Sequence, residues 1–276
     1  MTPLRAPDSG EFPVHSKGPV PFVSSALLGA NACLKHWFCG RIGGAGSGPY
    51  AGMNLSRRVG DSPDVVARNH EILADGLGLP RPPLVLKQVH GNAVVVAGPD
   101  NLGGLYDNPP EADAIITAMR NVPLAILTAD CVPIVVLDVG TPSLAVVHAG
   151  WRGTVRSVLW KTILAMFEEF GADPSDCYAA IGPAVESKCY EVGNDVREAF
   201  IKGLPYGADV LERGNDAHWA LDLREANRRQ ILDARLSPSR VAACPYCTRC
   251  ETDWFFSARR DGERSGRHGT VAMLVP

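Results

Sequence analysis

Short apolar runs, rich in Val and Ile and bounded by Pro or Gly, occupy much of the chain. Runs of this kind are typical of strands that are buried on both faces. The predicted strands are 33–39, 84–89, 94–97, 114–117, 124–128, 132–137, 144–148, 178–181 and 270–275. A turn at Gly91-Asn92 is predicted to join the second of these strands to the third.

In other stretches the apolar residues recur with the 3.6-residue period of a helix. The predicted helices are 62–77, 151–170, 194–201 and 222–235. Ser62 is expected to cap the first helix, with Pro63 at its first position and Gly78 at its end. Asp222 and Glu225 predict a capping box at the start of the last one.

The order of these elements indicates the fold class. Strands outnumber helices and do not alternate strictly with them, which favours an α+β fold over a doubly wound parallel sheet. We therefore predict a single domain of layered, mixed β-sheets flanked by helices, over residues 25–276. Residues 1–24 are rich in Pro, Gly and Ser and lack periodicity, so a poorly ordered arm is expected there.

Composition excludes several classes of protein. The 276 residues carry a formal net charge of −3, which gives no general attraction to nucleic acid or membrane surfaces. No apolar run reaches the roughly 18 residues of a membrane span. The N-terminus lacks the basic start and apolar core of a secretory signal. We therefore expect a cytoplasmic protein without nucleic-acid or membrane partners, whose eight cysteines are reduced thiols or metal ligands. The sequence does not indicate the oligomeric state.

His90, Cys131 and His148 stand out because each follows an apolar run and precedes a break in the pattern. Strand ends deliver side chains to the rim of a sheet, where sites are usually built. Two imidazoles and one thiolate suit zinc, which in catalytic sites takes three protein ligands and leaves one position for water. The spacings alone leave open that these residues lie in unrelated pockets.

Several short motifs follow one another in a fixed order between about residue 33 and residue 276. They are Gly-Pro-Tyr-Ala-Gly-Met-Asn-Leu (48–55), Val-Gly-Asp (59–61), Lys-Gln-Val-His-Gly (87–91), Thr-Ala-Asp-Cys-Val-Pro (128–133), His-Ala-Gly-Trp-Arg-Gly (148–153), Ile-Gly-Pro (181–183), Cys-Tyr-Glu-Val (189–192) and Phe-Phe-Ser-Ala-Arg-Arg-Asp-Gly (255–262). Together they make the chain resemble the laccase-domain family, also described as multicopper polyphenol oxidase-like or purine nucleoside phosphorylase-like proteins.

The resemblance implies that His90, Cys131 and His148 hold a metal, usually zinc. It implies a layered α+β fold distantly similar to toxin-type cysteine hydrolases. The implied activities are phosphorolysis of adenosine, inosine and methylthioadenosine, and adenosine deamination. Some bacterial members are described as peptidoglycan editing factors, which extends the implied role to peptidoglycan editing. We therefore expect a zinc-dependent enzyme that takes a purine nucleoside and phosphate, with copper as the alternative metal.

The oxidase description of the family can be compared with the histidine count. A multicopper oxidase needs a His2Cys blue-copper site and further imidazoles for a three-copper cluster. The chain has seven histidines, too few for four copper sites in one subunit, so copper-dependent polyphenol oxidation is expected to be minor. The chain also lacks the His-x-Glu and Pro-Cys-x-x-Cys motifs of zinc nucleobase deaminases. Deamination would therefore need a different arrangement of metal ligands and catalytic residues.

Phosphate is expected to be held by arginine, whose planar fork matches its oxygens, and by N–H groups at a helix start. The candidate substrate-binding residues are Arg41, Asn54, Arg152, Arg259 and Arg260. Arg152 and Arg41 are preferred: the first opens the predicted 151–170 helix, and the second lies in the glycine-rich loop. Any one of these arginines could equally be a solvated charge or part of an ion pair.

Asp130 is the candidate carboxylate of the site, because it directly precedes Cys131. It could orient a metal ligand, move protons, or serve as a structural cap. With Cys131 and His148 it forms the candidate catalytic set. The main alternative is a thiol hydrolase or amidase, in which Cys131 is the nucleophile and His148 its base. A third hypothesis is a non-enzymatic partner of cell-wall or metabolic proteins.

Cys244, Cys247 and Cys250 repeat at intervals of three and suggest a second metal or redox site. A zinc knuckle needs a fourth ligand, and the sequence offers only the distant His268 as a spare one. We therefore interpret the three as reduced thiols, and Cys189 as a core residue.

Overall fold

A computed structural model of the chain describes residues 10–16, 18–214 and 218–276. Within these ranges the strands are β1 Val14–His15, β2 Phe22–Val23, β3 Leu34–Cys39, β4 Leu84–Val85, β5 Val94–Val96, β6 Ala114–Thr117, β7 Leu124–Thr128, β8 Val132–Asp138, β9 Ser143–Ala149, β10 Cys177–Ile181, β11 Glu191–Val192, β12 Leu211–Arg213, β13 Trp219–Leu221, β14 Val241–Ala243 and β15 His268–Leu274. The helices are α1 Ala26–Gly29, α2 Pro63–Leu77, α3 Leu102–Asp107, α4 Trp151–Val155, α5 Val158–Phe170, α6 Asn194–Gly203, α7 Leu223–Asp233 and α8 Ala258–Asp261. No helix in the described ranges has the length and apolar character needed to cross a membrane.

The strands of the described residues form two large sheets and one small one. The first sheet has the order β1-β2-β3-β15-β7-β4, the second β14-β10-β8-β9-β6-β5, and the small sheet β11-β13-β12. Most neighbours are antiparallel, but β4 runs parallel to β7, β5 to β6, and β14 to β10. Both large sheets are therefore mixed, as predicted.

The alternation of side chains along the strands builds the layers. On β8, Val135 and Leu137 pack into the core between the two large sheets, whereas Ile134 and Val136 pack against helices. Helices α5, α6 and α7 cover that outer face of the second sheet. Leu73 of α2 packs on the outer face of the first sheet. The predicted single α+β domain of layered mixed sheets flanked by helices is confirmed.

The hairpin predicted at Gly91-Asn92 is wrong, because the two strands belong to different sheets. β4 ends at Val85 and pairs with β7, whereas β5 pairs with β6. After β4, the side-chain amide of Gln88 takes the place of the backbone hydrogen bonds between β4 and β7. It donates to Leu127 O and accepts from Leu127 N, both at 2.7 Å. The segment 86–93 thus crosses from one sheet to the other.

The single helix predicted over 151–170 is two helices. Ser157 lies between α4 and α5 with a left-handed φ of 58°. The carbonyls freed at the break find side-chain donors, since Asn92 donates to Arg156 O at 2.7 Å and Gln230 donates to Thr154 O at 2.6 Å. Because the apolar period continues across the break, the sequence pattern does not mark it.

The predicted helix ends are partly confirmed. Gly78 closes α2 with a left-handed φ of 61°, but the side chain of Ser62 makes no capping hydrogen bond at its start. The side chain of Asp222 accepts from the backbone N–H of Glu225 at 2.9 Å, as predicted for α7. The carboxylate of Glu225 instead binds Arg228, so the reciprocal half of the capping box is missing.

The structure differs from the predicted disordered arm at residues 10–16 and 18–24. There β1 and β2 extend the first sheet beside β3. Phe12 and Val23 are fully buried, and Val20 is nearly so. These apolar residues are spaced too irregularly among Pro and Gly to show the period of a strand or a helix. The sequence pattern therefore did not indicate that this segment is ordered. The rest of the predicted arm, residues 1–9 and 17, lies outside the described residues.

Candidate metal centre and active-site cavity

His90, Cys131 and His148 meet at the rim where the first and second sheets come together. One ligand atom from each lies within 4.8 Å of the others. The two imidazole rings meet edge to face with their centroids 4.8 Å apart. This spacing is compatible with bonds of about 2.0–2.3 Å from all three to one shared zinc ion.

Each of the three comes from a point where the chain changes direction. His148 is the last residue but one of β9, and Cys131 directly precedes β8. Asp130, directly before Cys131, has a φ of 92°, and His90 in the sheet crossover has a φ of 59°. Left-handed conformations of non-glycine residues cost about 1–3 kcal/mol each and cluster at functional sites.

Asp113 holds two of the three donors in place. Its fully buried carboxylate accepts from His148 Nδ1 at 2.7 Å and from the backbone N–H of His90 at 2.9 Å. The backbone N–H groups of Gly91 and Val89 donate to its other oxygen, at 2.6 and 3.3 Å. An ionised carboxylate only accepts, so Nδ1 of His148 carries the proton and Nε2 is the nitrogen available to a ligand.

The charges in this cluster support one another. Although burial alone would raise the pKa of Asp113, the hydrogen bonds from His148, Gly91 and Val89 hold it below its usual value. Burial would also raise the pKa of Cys131, but the positive charge of His148 and hydrogen bonds from His148 and His90 lower it to about 6. Burial disfavours charge on His148, yet Cys131 and Asp113 raise its pKa. Cys131 therefore has thiolate character near neutral pH.

These residues fit the metal that the family resemblance implies. Imidazole and thiolate are ligands that zinc prefers. Histidines that bind a metal typically donate their other ring N–H to a carboxylate, as His148 does to Asp113. His90, Cys131 and His148 would hold the ion, with Asp113 orienting the ring of His148.

A glycine next to His148 makes room for this arrangement. A Cβ placed on Gly150 would lie 2.8 Å from Cδ2 of His90 and 3.1 Å from the Sγ of Cys131. Real Cβ atoms essentially never come as close as the first distance, and the second is tighter than nine in ten real Cβ contacts. Gly150 therefore allows the start of α4 to pass directly against two of the three donors.

The three donors face a cavity of about 610 Å³, a volume within the range of small-molecule sites. The predicted site residues that line it are His90, Asp130, Cys131, His148, Arg152 and Arg259. The guanidinium of Arg152 lies over the ring of Trp151, 4.3 Å from its centroid. That of Arg259 lies over the ring of Tyr190 at 4.5 Å and donates to Glu191 O at 2.7 Å.

The carboxylate of Asp130 is engaged by two other segments. It accepts from the hydroxyl of Thr248 and from the backbone N–H of Arg259, both at 2.6 Å. The backbone carbonyl of Asp130 accepts from Val185 N at 3.1 Å. Of the alternatives left open by the sequence, these contacts favour a group that positions the loop of Cys131.

Arg41, Asn54 and Arg260 are absent from the residues lining this cavity. Arg41 donates twice to Ala51 O, at 3.1 and 2.9 Å. The side chain of Asn54 is fully buried and accepts from the backbone N–H of Arg267 at 2.9 Å. Arg260 binds Asp261 and nearby backbone carbonyls. These side chains support the loops around the cavity.

Sequence reasoning missed several residues that build the cavity. Asp113 precedes β6 and looks like an ordinary polar residue at a strand end. Gln88 and Tyr190 line the wall. They lie in the motifs 87–91 and 189–192, but the sequence did not mark either residue as part of the site. Arg58, in the glycine-rich loop, and Arg267, in the C-terminal loop, also line it; the sequence offered both as arginines that could hold phosphate, but it favoured Arg152 and Arg41. No local pattern joins these loops, which meet only in the folded chain.

A second group of metal-ligand donors lies elsewhere in the structure. It combines Glu186, Cys189, Cys247 and Cys250, and a metal could be held there. Cys189 packs against the core of the second sheet, as predicted, and its thiol also belongs to this group. Of the cysteine run only Cys247 and Cys250 take part, and Glu186 and Cys189 supply the other two donors. His268 is not part of the group; its ring lies by Thr128, with Nε2 3.2 Å from the hydroxyl oxygen.

Comparison with known proteins agrees with this fold and shows the family of the chain. The family model described as multi-copper polyphenol oxidoreductase laccase matches residues 35–275. The chain is 36% identical over 246 residues to a purine nucleoside phosphorylase of Bacteroides thetaiotaomicron, covering 87% of this chain and 91% of that one. It is 37% identical over 231 residues to adenosine deaminase RL5 of an unknown prokaryotic organism, covering 80% and 87%. The crystal structure of YlmD from Geobacillus stearothermophilus has a TM-score of 0.88 at 30% identity, covering 96% of this chain and 99% of that one.

The fold and the site define a class: an α+β sandwich with a cavity built around two histidines and one cysteine. The family match spans nearly the whole chain, and the relatives are matched over most of their own length. The chain belongs to the laccase-domain family. Its relatives carry the names of enzymes, and the resemblance seen in the motifs is confirmed.

Proposed function

We propose that this chain is a zinc-dependent purine nucleoside enzyme, acting by phosphorolysis of adenosine, inosine and methylthioadenosine and by adenosine deamination. The observation that carries the proposal is the meeting of His90, Cys131 and His148 at one side of an arginine-lined cavity. The names of the relatives, purine nucleoside phosphorylase and adenosine deaminase, support the substrate class.

The cavity carries the positive charge that a phosphate needs. Arg58, Arg152, Arg259 and Arg267 line it. Arginine forks match phosphate oxygens and stay charged at all relevant pH values. The proposal assigns phosphate binding to Arg152 and Arg259, with Arg58 and Arg267 adding to the positive potential. Arg41, Asn54 and Arg260 take a supporting role, by fixing the loops from which the lining arginines come.

The cavity also offers apolar and aromatic surface for a purine ring. Leu127, Val89, Trp151 and Tyr190 lie in its wall. Val89 is 40% exposed, so its apolar side chain is accessible at this wall. Pockets that bind small molecules combine such apolar walls with a few convergent polar groups. A nucleoside needs both kinds of surface.

The chemistry follows from this placement. His90, Cys131 and His148 would hold the zinc ion, which would supply Lewis acidity. In phosphorolysis an oxygen of hydrogen phosphate bonds to C1′ of the ribose, and the bond from C1′ to the purine nitrogen breaks. The proton of the hydrogen phosphate passes to the leaving purine, so the products are ribose 1-phosphate and the free base. Arg152 and Arg259 hold the phosphate and neutralise its charge. Asp113 orients the ring of His148.

The test uses purified protein loaded with zinc. We expect phosphate-dependent release of free purine from adenosine, inosine or methylthioadenosine, lost in Cys131→Ser and on treatment with a chelator. A Cys33→Ser variant is the matched control, because Cys33 is a half-buried thiol outside the cavity. Activity that survives both Cys131→Ser and chelation would contradict the metal-dependent mechanism. Absence of turnover with all three nucleosides and of adenosine deamination, in protein with bound zinc, would contradict the substrate class.

A second candidate function rests on the lowered pKa of Cys131. Burial opposes this shift, but His148 and His90 outweigh it and favour the nucleophilic thiolate. A thiol hydrolase or amidase would use Cys131 as the nucleophile and His148 as its base. Such an enzyme would keep its activity without metal and lose it on alkylation. Protection of Cys131 from iodoacetamide by added zinc, with activity restored together with the metal, favours the zinc enzyme.

A further inference from the structure

The most distinctive feature outside the cavity is the side-chain cluster of Glu186, Cys189, Cys247 and Cys250, whose ligand atoms all lie within 4.8 Å of one another. The Sγ atoms of Cys189 and Cys250 are 3.5 Å apart. Glu186 Oε1 lies 3.3 Å from the Sγ of Cys250 and 3.6 Å from that of Cys189. These separations are close to the edges of a tetrahedron built from zinc–sulfur bonds of about 2.3 Å and zinc–oxygen bonds of about 2.0–2.2 Å.

We propose that this cluster is a second, structural metal site that binds zinc through three thiolates and one carboxylate. Four protein donors complete the tetrahedral coordination of a structural site and leave no open position for a substrate. Thiolate ligands select zinc over magnesium or calcium, which require oxygen donors. The site is separate from the His90, Cys131 and His148 centre and does not depend on the function proposed for it.

The backbone around the cluster resembles two facing turns. Glu186 and Cys189 are three residues apart, and Cys189 N donates to Glu186 O at 2.9 Å. Cys247 and Cys250 repeat this spacing, with Cys250 N donating to Cys247 O at 3.2 Å. The N–H of Glu186 also donates to the sulfur of Cys247 at 3.4 Å. Such a hydrogen bond stabilises a thiolate, and a pair of donors three residues apart on each side is a spacing typical of structural zinc ligands.

The pairing of Cys247 with a glutamate turn explains why the cysteine run is misleading in the sequence. Cys244 is fully buried and packs in the core between the two large sheets, together with Tyr246. Cys247 packs on the opposite side, in the core that α5 and α7 cover. An isolated bridge between Ala184 and Cys247 brings the two turns together. The ligand set therefore omits Cys244 and includes two residues some sixty positions upstream.

Charge gives a further reason for a cation. Three thiolates and a carboxylate would bring four negative charges together. The nearby cations are Lys188, whose Nζ lies 3.3 Å from Glu186 Oε1, and Arg249, whose side chain hydrogen-bonds to Cys189. Both side chains are exposed, so their attraction is screened by water. A divalent ion inside the cluster would compensate the charge where the thiolates meet.

The position of the cluster suggests what the metal would do. Thr248 directly follows Cys247, and its hydroxyl donates to Asp130 at 2.6 Å. Thr248 N also donates to Ala184 O at 3.2 Å. A metal that ties the two turns together would therefore fix the segment that holds Asp130, next to Cys131. The second site would act as a positioning element for the first.

The test measures metal in protein whose first site is disabled by Cys131→Ser. After saturation with zinc and dialysis, we expect this variant to retain one zinc per chain. X-ray absorption at the zinc edge should give about three sulfurs at about 2.3 Å and one oxygen at about 2.0–2.2 Å. Adding Cys189→Ser and Cys250→Ser should remove that zinc, whereas adding Cys33→Ser, a half-buried thiol elsewhere, should not. Cobalt substitution should give a thiolate-to-metal charge-transfer band that is lost in the same variants.

If the variant lacking both cysteines fails to fold, Glu186→Gln in the Cys131→Ser background keeps the proposal testable. Zinc affinity can be measured by competition with a chromophoric chelator. Loss of a residue that only hydrogen-bonds to a metal ligand typically lowers metal affinity about 10–100-fold. Loss of a charged ligand itself should lower zinc affinity by at least this much. Absence of retained zinc in Cys131→Ser, unchanged affinity in Glu186→Gln, or a Cys189–Cys250 disulfide in the zinc-saturated protein would each overturn the proposal.

Discussion

Substituting Asp113 tests how far the metal centre depends on one buried carboxylate. Its oxygens accept from His148 Nδ1 and from the backbone N–H groups of His90, Gly91 and Val89. In Asp113→Asn the amide keeps one accepting oxygen, and its NH2 group must face N–H donors. If the oxygen stays on the side of His148, the N–H groups of Gly91 and Val89 lose their partner. In the opposite orientation, His148 loses the acceptor that fixes its tautomer.

The magnitude follows from these bonds. Hydrogen bonds to charged groups contribute about 1.5–3 kcal/mol each, so losing two costs about 3–6 kcal/mol of unfolding free energy. The free energy of unfolding of a domain is typically about 5–15 kcal/mol. Asp113→Asn should therefore be strongly destabilised. It should still fold if the unfolding free energy of the unsubstituted protein lies in the upper part of that range. Loss of the group that orients a metal-binding histidine should lower zinc affinity about 10–100-fold, or about 1.4–2.7 kcal/mol.

Asp138→Asn provides the matched control. Asp138 is also fully buried and accepts from Gly140 N at 2.8 Å and from the Thr141 hydroxyl at 2.6 Å, but it lies at the far end of β8. Denaturant unfolding of metal-free protein should show that both variants are destabilised. Competition with a chelator in the Cys189→Ser background should show weaker zinc binding in Asp113→Asn alone. Equal zinc affinity in the two variants would refute the role given to Asp113.

Three further predictions concern the same cavity. Gly150→Ala should displace His90 and Cys131 and lower zinc affinity, because its Cβ would lie 2.8 Å from the first and 3.1 Å from the second; Gly103→Ala, in open space, should leave affinity unchanged. In metal-free protein, the iodoacetamide rate at Cys131 should fall as the pH drops below its pKa of about 6, since the thiolate is the nucleophile, and level off above it. A rate that keeps rising up to about pH 9 would contradict the lowered pKa. Arg152→Ala should raise the KM for phosphate at least tenfold more than the KM for the nucleoside, and an equal effect on both would count against phosphate binding by that residue.

The main layers and the three donors could be predicted from the sequence. Buried strands such as β7, β8 and β9 each contain a run of four or more apolar residues between breaks, so hydrophobicity alone marks them. His148 and Cys131 stand out because they end or begin such runs. That the three donors approach one another was not in the pattern, and it rested on the family resemblance until the fold brought them within 4.8 Å.

Other features depend on contacts between distant segments and leave no local signal. Asp113 and Glu186 are single acidic residues. The partners of Asp113 lie more than twenty positions away, and Glu186 meets Cys247 and Cys250 from a segment some sixty positions away. The break at Ser157 interrupts neither the apolar period nor the helix propensity of its surroundings. The crossover after β4 depends on the Gln88 amide replacing a strand ladder against Leu127. Side chains that imitate the backbone cannot be recognised from a pattern of apolar and polar positions.

The claim on which the account depends is that His90, Cys131 and His148 bind one ion. A crystal of the zinc-saturated protein, with anomalous data collected on both sides of the zinc edge, tests it most directly. We expect an anomalous peak about 2.0–2.3 Å from the donor atoms of all three residues, with the ring of His148 still hydrogen-bonded to Asp113. No peak among those three side chains, in crystals whose solution contains excess zinc, would contradict it.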